Sequence, residues 1–591
     1  MKKTKSRETI KSFDWISCLI CLLPVVLFFV FNAYCFDIYY DLNDDVTIKD
    51  ILSGAFTGTP NAHVVYMKFP LTLILSFMYC VFPSVSWFGL FELLCLAVAC
   101  FVINYSVCKL VIKRWLQVFI SLAGSFIFQS LLIYQNVFIQ YTVVSGVLAV
   151  AGMVILFFSI EKNNAKIKTG SLLISILLFV LSFCIRDNMF LFVLPFIVLS
   201  LVVEIFLKFQ KKGDEQNNII DKRVIKRILV SIIGLIASLL LVIGIDTIAY
   251  SSDVWREYKE FNDYRTTLFD YQKDAPWYMF HPEIYDELGF SEAEAQVLVD
   301  TNLAFSDKID SEVLKRVVEF NKKELGKGYF SVGFKEALTY YLYTLHKTRE
   351  CKYCYLIIAL YLFLIIASVI RKRYIYIPIA LLVFLVKSMD WMYLIMRGRI
   401  KDRVTVPLCF CEIMLLLCLI IRLGYEEKRA LVLAGIVCIL LAMFYPMFKT
   451  NLRDTNDELA LRAEKDRGWV EFTEYCEARY DNFFFLDLIS DISFSEKVFN
   501  GEKPKYTNYV LCGGWLSKTP IYGEKLKVRG IDSVDEAIVL RDDVYFISMD
   551  FRDTEWIKGY YQDRGYNIIC EEVDRIYIND SKYYAVYSVT K

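Results

Sequence analysis

Residues 67–87 read MKFPLTLILSFMYCVFPSVSW, and whether this stretch crosses a membrane decides the topology of the whole chain. Of 591 residues, 56% are hydrophobic, and the mean hydropathy is +0.42. That is too apolar for a soluble globular protein of this size. Apolar runs recur along the chain, each near the roughly 20 residues a spanning helix needs. If Met67–Trp87 were one more crossing, Lys109, Lys113 and Arg114 would lie outside the membrane. So would Lys162, Lys166 and Lys168, and the basic linker Lys208–Arg227. Short loops rich in Lys and Arg stay cytoplasmic, so that reading breaks the rule repeatedly. The apolar part between Phe69 and Phe82 is also short, with Pro70 and Pro83 at its ends. A helix lying in the interface removes both difficulties.

The remaining runs then predict about eleven spans, near 13–36, 86–110, 115–134, 141–160, 171–186, 189–208, 228–250, 353–370, 375–395, 404–423 and 429–448. The N-terminus, with Lys2, Lys3, Lys5, Arg7 and Lys11, is expected in the cytoplasm. The basic loops 109–114, 161–168, 208–227, Arg371–Arg373 and Lys428–Arg429 join it there. The first run is too long for a signal-peptide core and no small-residue cleavage site follows, so it reads as a retained helix. Two polar segments fall outside, Ser251–Cys351 and Thr450–Lys591. The first has helical periodicity in SEAEAQVLVDTNLAF and SEVLKRVVEFNKKELGKG. The second opens with a helical stretch and continues in strand-like runs, NFFFLDLI, YVLC, AIVL, VYFISM, NIIC and YYAVYSV, with EWIKGYYQDRGY as a helix between two of them.

The expected architecture is therefore mainly α. A polytopic transmembrane helical bundle within 1–250 has an outer loop at 37–66 and an interfacial helix at 67–85. An outer helical insertion (251–351), further membrane helices (352–449) and an extracytoplasmic α/β domain (450–591) follow.

Lys plus Arg equals Asp plus Glu at 66 each, which argues against nucleic acid as a partner. Most of the 17 Cys sit in apolar runs such as LCFCEIMLLLC, without metal spacing. Cys351 and Cys354 form a C-x-x-C that abuts a membrane helix, and three His in the whole chain make a His-based metal site improbable. The Lys-, Ile-, Asn- and Cys-rich composition points to a low-GC bacterium and a cell-membrane protein.

Four polar clusters fall on the outer face. Asp44 and Asp45, near Asp41, follow the first span; Gln135-Asn136 and Gln140-Tyr141 cap the third and fourth. Arg186-Asp187 sit between two apolar runs with almost no loop, and LVKSMDWMYLIMRGRIKDRVTVP carries Lys387, Asp390, Arg397, Arg399, Lys401 and Arg403. An outer loop with four cations breaks the positive-inside rule unless they have a partner. Phospholipid headgroups are one, and a bound phosphate, matched by the guanidinium fork, is another. Lys387 and Asp390 are within about one helical turn, so their side chains can pair. A carboxylate can take a proton from an acceptor hydroxyl while arginines hold a phosphate leaving group, and together these make a phosphate-displacing transferase.

The order of these features resembles the GT-C superfamily of integral-membrane glycosyltransferases. NDDVTIKDILSGAFTGTPNAH is similar to their first outer loop with its essential acid, and MKFPLTLILSFMYCVFPSVSWFGL to their amphipathic jaw helix. IYQNVFIQYTVV, IRDNMFLFVLP and RGRIKDRVTVPL match polar or Arg-bearing positions on later spans. The resemblance covers roughly residues 10–210 and 375–450. The Ser251–Cys351 insertion is not general to the superfamily, and no W-W-D motif is present, which disfavours a peptide acceptor.

The resemblance implies a donor sugar on polyprenyl phosphate and a glycan or lipid acceptor at the outer leaflet. Asp44 or Asp45 would be the base, Asp44 preferred. Arg186, Arg397, Arg399 and Arg403 would bind the donor phosphate and Lys387 would meet the leaving charge. Asp187, Asp390, Gln135, Gln140 and His63 would be supporting polar groups. Such enzymes often work without a metal, although paired acids can recruit Mg2+ or Mn2+. The aromatic and polar residues of FNDYRTTLFDYQKDAPWYMFHPEIYDELG suit sugar stacking or the packing of a helical lid, and Gly513-Gly514-Trp515 reads as a turn or as the lining of an acceptor groove. Competing readings are a polysaccharide polymerase or ligase, a lipid-linked-glycan transporter, and an assembly scaffold.

Overall fold

The computed structural model describes residues 14–159, 169–209, 222–347, 352–425, 430–490, 493–499 and 505–591. The basic N-terminus, the 161–168 loop, most of the 208–227 linker, Cys351 and the Lys428–Arg429 pair lie outside the described residues.

The fold is mainly helical, with a small C-terminal sheet region. The first helical part comprises α1 (Trp15–Cys35), β1 (Tyr39–Tyr40), α2 (Asn43–Ser53), α3 (Phe69–Val81), α4 (Trp87–Cys108), α5 (Arg114–Val137), β2 (Phe138–Ile139), α6 (Tyr141–Phe157), α7 (Thr169–Ile185), α8 (Asp187–Phe209) and α9 (Lys222–Ala249). An insertion follows, with α10 (Asp253–Arg265), α11 (Pro282–Leu288), α12 (Glu292–Val299), α13 (Ser311–Lys323) and α14 (Phe334–Thr339). The chain returns to the bundle through α15 (Cys354–Ile370), α16 (Tyr376–Met396), α17 (Asp402–Tyr425) and α18 (Ala430–Lys465).

Among the described residues, α1, α4, α5, α8, α9, α16, α17 and α18 are long and apolar enough to cross a membrane, and α3, α6, α7 and α15 are shorter apolar helices. These lengths are compatible with a multi-pass membrane protein. The apolar segment of α17 is 89% covered by protein and that of α9 only 6%, so α17 is an inner pillar while α9 shows its apolar side outward. α6 is buried on every face and meets α17 closely: a Cβ on Gly146 would sit 2.4 Å from Pro407 Cβ.

α3 does not carry the chain across the bundle. Tyr40, just after α1, accepts a hydrogen bond from Gly89 N–H at the start of α4 (3.0 Å), so α4 begins at the end where α1 finished. α3 buries Leu71, Thr72, Leu75 and Tyr79 against the protein and exposes the apolar Leu73, Ile74 and Phe77.

The C-terminal domain contains α19 (Arg467–Ala478), β3 (Phe483–Leu486), β4 (Glu496–Lys497), β5 (Tyr509–Leu511), α20 (Pro520–Val528), α21 (Val534–Leu540), β6 (Val544–Met549), α22 (Glu555–Gln562), β7 (Ile569–Asn579) and β8 (Lys582–Thr590). Its sheet runs β5-β3-β6-β8-β7, with β5, β3 and β6 parallel and β8 antiparallel to both β6 and β7. AIVL, expected as a strand, belongs to α21. Asp535 and Glu536 occupy its first turn, where acids favour helix, and the apolar run is too short to oppose them. α18 also runs past the expected end of its span, to Lys465, before α19 starts.

Insertion and sheet domain are joined by buried polar pairs: Arg552–Asp300 (2.8 Å), Asn302 Nδ2 donating to Asp487 Oδ1 (2.7 Å), and Arg564–Glu294 (3.0 Å). Phe305 inserts among Phe546, Trp556 and Tyr560. A second, three-stranded sheet ties the domain to the bundle: β1 pairs with β2 in parallel and with β4 antiparallel.

Candidate functional site

The small sheet fixes where α2 begins. Arg462 of α18 strengthens that anchor, contacting Asp41 Oδ1 (2.5 Å), the Asp41 carbonyl (2.8 Å) and Glu458 (2.8 Å). Asp44 and Asp45 occupy the first turn of α2, where the helix dipole favours acids. Adjacent helical positions point about 100° apart, so the two carboxylates go separate ways.

Asp44 faces α17. Arg403 Nη1 lies 3.1 Å from its Oδ2, and the indole N–H of Trp515 donates to its Oδ1 at 3.0 Å. The Asp44 and Arg403 side chains remain 17% and 26% exposed, so solvent-borne groups can reach the pair. Asp45 is fully buried. Its Oδ1 accepts the Tyr141 N–H (3.0 Å) at the start of α6, and its Oδ2 has no hydrogen-bond partner. Burial pushes the Asp45 carboxyl well above the usual carboxylate range, against the opposing hydrogen bond from Tyr141. Of the two acids proposed as base, Asp45 is thus a buried helix cap, out of reach of a substrate hydroxyl. The expected acid pair does not form a chelate. Among the described residues no group of three or more His, Cys, Asp or Glu is placed to hold a metal ion.

The arginines converge only in part. Arg186, at the corner between α7 and α8, lies over Tyr66 (4.6 Å) and Tyr141 (5.7 Å), and no salt bridge to it is formed among the described residues. Tyr66 also packs against Trp515, with ring centroids 5.0 Å apart. Arg186, Tyr66, Tyr141, Trp515, Asp44 and Arg403 therefore form one polar and aromatic cluster. Arg399 pairs with Asp270 (3.1 Å), which Arg265 also approaches (3.8 Å). Asp270 belongs to a π-helical turn, Thr266–Tyr271, directly after α10. Arg397 is held structurally between the rings of Tyr271 (3.6 Å) and Tyr329 (3.7 Å), and donates to the Tyr329 carbonyl. Arg397 is buried by these contacts, and among the described residues none of them links it to Asp44 or Arg403.

Other expectations are corrected as well. Lys387 does not pair with Asp390. It faces Glu412 of α17 (3.9 Å), whose other oxygen accepts from Tyr361 OH (2.9 Å). Lys387 stands ten positions before Arg397, about 15 Å along the helix axis, too deep to meet a phosphate beside Arg403. Asp390 keeps one buried oxygen without a hydrogen bond. Asp187 binds Lys68 (2.9 Å), which also approaches Asp246 (3.6 Å), and so braces the start of α3. Gln140 caps α6, its Oε1 accepting from Thr142 N (2.8 Å) and Val143 N (3.1 Å). Gln135 lines a cavity of about 60 Å³ behind Arg403, with Asp41 and Asp402. His63 stacks on Trp255 (5.3 Å) and contacts Asn61 Oδ1 (3.0 Å), outside the Asp44 cluster. Burial pulls its imidazole below the usual histidine range.

Tyr66 carried no signal in the sequence, Tyr141 stood out only as a neighbour of Gln140, and Arg265 and Asp270 only as members of a polar, aromatic stretch. Trp515 was read as part of a turn or as the lining of an acceptor groove, not as a partner of Asp44. No family model, curated protein or solved structure matches the chain, so only the site's own geometry bears on its chemistry.

Proposed function

We propose that the chain is a membrane glycosyltransferase of GT-C type, which moves a sugar from a polyprenyl-phosphate donor to a glycan or lipid acceptor at the outer face of the membrane. In this reading eleven helices span, α3 lies in the interface, and the insertion and sheet domain are extracytoplasmic. One observation carries it: Asp44, after the first membrane helix, and Arg403, 359 residues later at the head of α17, meet at 3.1 Å beside Arg186.

The chemistry follows from that arrangement. The donor phosphate takes the place of Asp44 on the Arg403 guanidinium, and Arg186, which lies over two rings and forms no salt bridge among the described residues, supplies a second fork. Asp44, released at Oδ2, accepts the proton of an acceptor hydroxyl. The hydroxyl oxygen attacks the anomeric carbon and the sugar–phosphate bond breaks. Polyprenyl phosphate departs with the electron pair, its charge met by Arg403 and Arg186. Arg399 and Arg265, sharing Asp270, stand at the rim where the insertion covers the site.

The test is Asp44→Asn, Asp45→Asn and Arg403→Ala in cells whose surface glycans are profiled. Asp44→Asn and Arg403→Ala should abolish one glycan at normal protein level, and Asp45→Asn should mainly lower the amount of protein. Wild-type glycans from Asp44→Asn and Arg403→Ala at wild-type levels would end the transferase reading.

A further inference from the structure

The sheet domain touches the candidate site through one loop. After β5 the chain turns at Gly513-Gly514 and delivers Trp515 to Asp44. The turn depends on its glycines. Gly514 has φ +83°, and a Cβ on Gly513 would lie 2.0 Å from the Thr301 carbonyl oxygen and 2.8 Å from Leu488 Cδ2. The insertion grips the same loop: Ala304 N–H donates to the Cys512 carbonyl (2.7 Å), and Tyr258 OH to the Trp515 carbonyl (2.5 Å). The indole ring is then wedged against Tyr66. Loop position, ring plane and N–H direction are all set before any ligand arrives.

Packing alone does not account for the indole N–H meeting the one accessible acid of the cluster. A Phe in the same place would fill the same space against Tyr66. We propose that Trp515 is a positioning residue for Asp44, so that the C-terminal domain completes the active centre rather than hanging beside it. This rests on the transferase reading above. The carboxylate of Asp44 is held at both oxygens, Oδ2 by Arg403 and Oδ1 by Trp515. Once Arg403 turns to a donor phosphate, Trp515 alone stops the carboxylate from rotating about its last torsion. It keeps Oδ1 occupied while Oδ2 faces the acceptor hydroxyl. A misplacement of about 1 Å at a reacting group costs on the order of 100-fold in rate.

The experiment uses the full chain, in cells lacking their own copy and complemented with each variant. The readout is the rate at which the glycan missing from the deletion strain reappears after induction, divided by the amount of protein in the membrane. Trp515→Phe keeps the ring and loses the donor, and should slow the rate by about tenfold or more. Trp515→His restores a ring N–H and should recover to within about threefold of wild type. Gly513→Ala, which displaces the loop, should match Trp515→Phe. A wild-type rate from Trp515→Phe, with Asp44→Asn silent, overturns the role of Trp515 and leaves the transferase reading intact. A wild-type rate from Asp44→Asn, or no glycan lost on deletion, overturns both.

Discussion

Replacing Asp44 with Asn and Arg403 with Ala, singly and together, should give unfolding free energies that fail to add. The two charged groups lie 3.1 Å apart and are about four-fifths covered. At an effective dielectric near 20, unit charges at that separation attract by about 5 kcal/mol. Much of this is returned as the desolvation both groups undergo on folding. A coupling of about 2 kcal/mol is what remains, in the range seen for contacting residues. Each single variant should therefore destabilise, Arg403→Ala the more, because it leaves Asp44 with only the Trp515 N–H. The double variant should lose about 2 kcal/mol less than the sum of the singles. SDS titration of purified protein in mixed micelles, followed by tryptophan fluorescence, measures all four corners. The coupling should also persist at raised salt, since a covered pair is screened little. Additivity within about 0.5 kcal/mol would mean that Asp44 and Arg403 do not meet, and the site would lose its central contact.

Lys387→Met should cost about 3–5 kcal/mol by leaving Glu412 uncompensated in an apolar interior. Lys387→Met combined with Glu412→Gln should regain most of that and keep glycan output near wild type. A double variant that is stable but silent would restore Lys387 to the phosphate site. Lys525, buried in the sheet domain, has its Nζ within hydrogen-bonding distance of the Phe56 carbonyl (3.1 Å), the Thr507 carbonyl (2.7 Å) and Thr507 Oγ1 (2.6 Å). Burial pulls its ammonium down to about 7, with Asp50 opposing. The unfolded chain therefore binds a proton that the folded chain lacks between about pH 7 and 10.4, and stability rises with pH there by up to about 1.4 kcal/mol per unit. Below pH 7 this contribution is flat. Unfolding measured from pH 7 to 9 should show a steeper rise in the wild type than in Lys525→Met, and equal slopes would refute the assignment.

The sequence by itself determined the features that depend on a residue and its near neighbours. Apolar runs of spanning length placed the helices to within a few residues, as at α1, α4 and α16, because burying or lipidating one face is a property of local periodicity. The helical periodicity of SEAEAQVLVDTNLAF announced α12, and the strand-like run YYAVYSV announced β8. The charge asymmetry of short loops, with flanking prolines, set Phe69–Val81 apart from the longer runs, and it is one of the shorter apolar helices. AIVL misled because four apolar residues fit either period, and the acids preceding them decided for a helix.

Partners and facing directions were settled only by the tertiary structure. Nothing within ten residues distinguishes Asp44 from Asp45; the rotation of α2 between β1 and the sheet domain turns one to Arg403 and buries the other against α6. Lys387 found Glu412 on another helix rather than Asp390 on its own. Arg397 was taken by two rings from the insertion side, and Trp515 came to the site from a domain 471 residues beyond Asp44. Desolvation makes the choice in each case. A buried charge must be matched by whichever group the packed helices bring within reach, and that group is set by long-range closure of the fold, which no local pattern encodes.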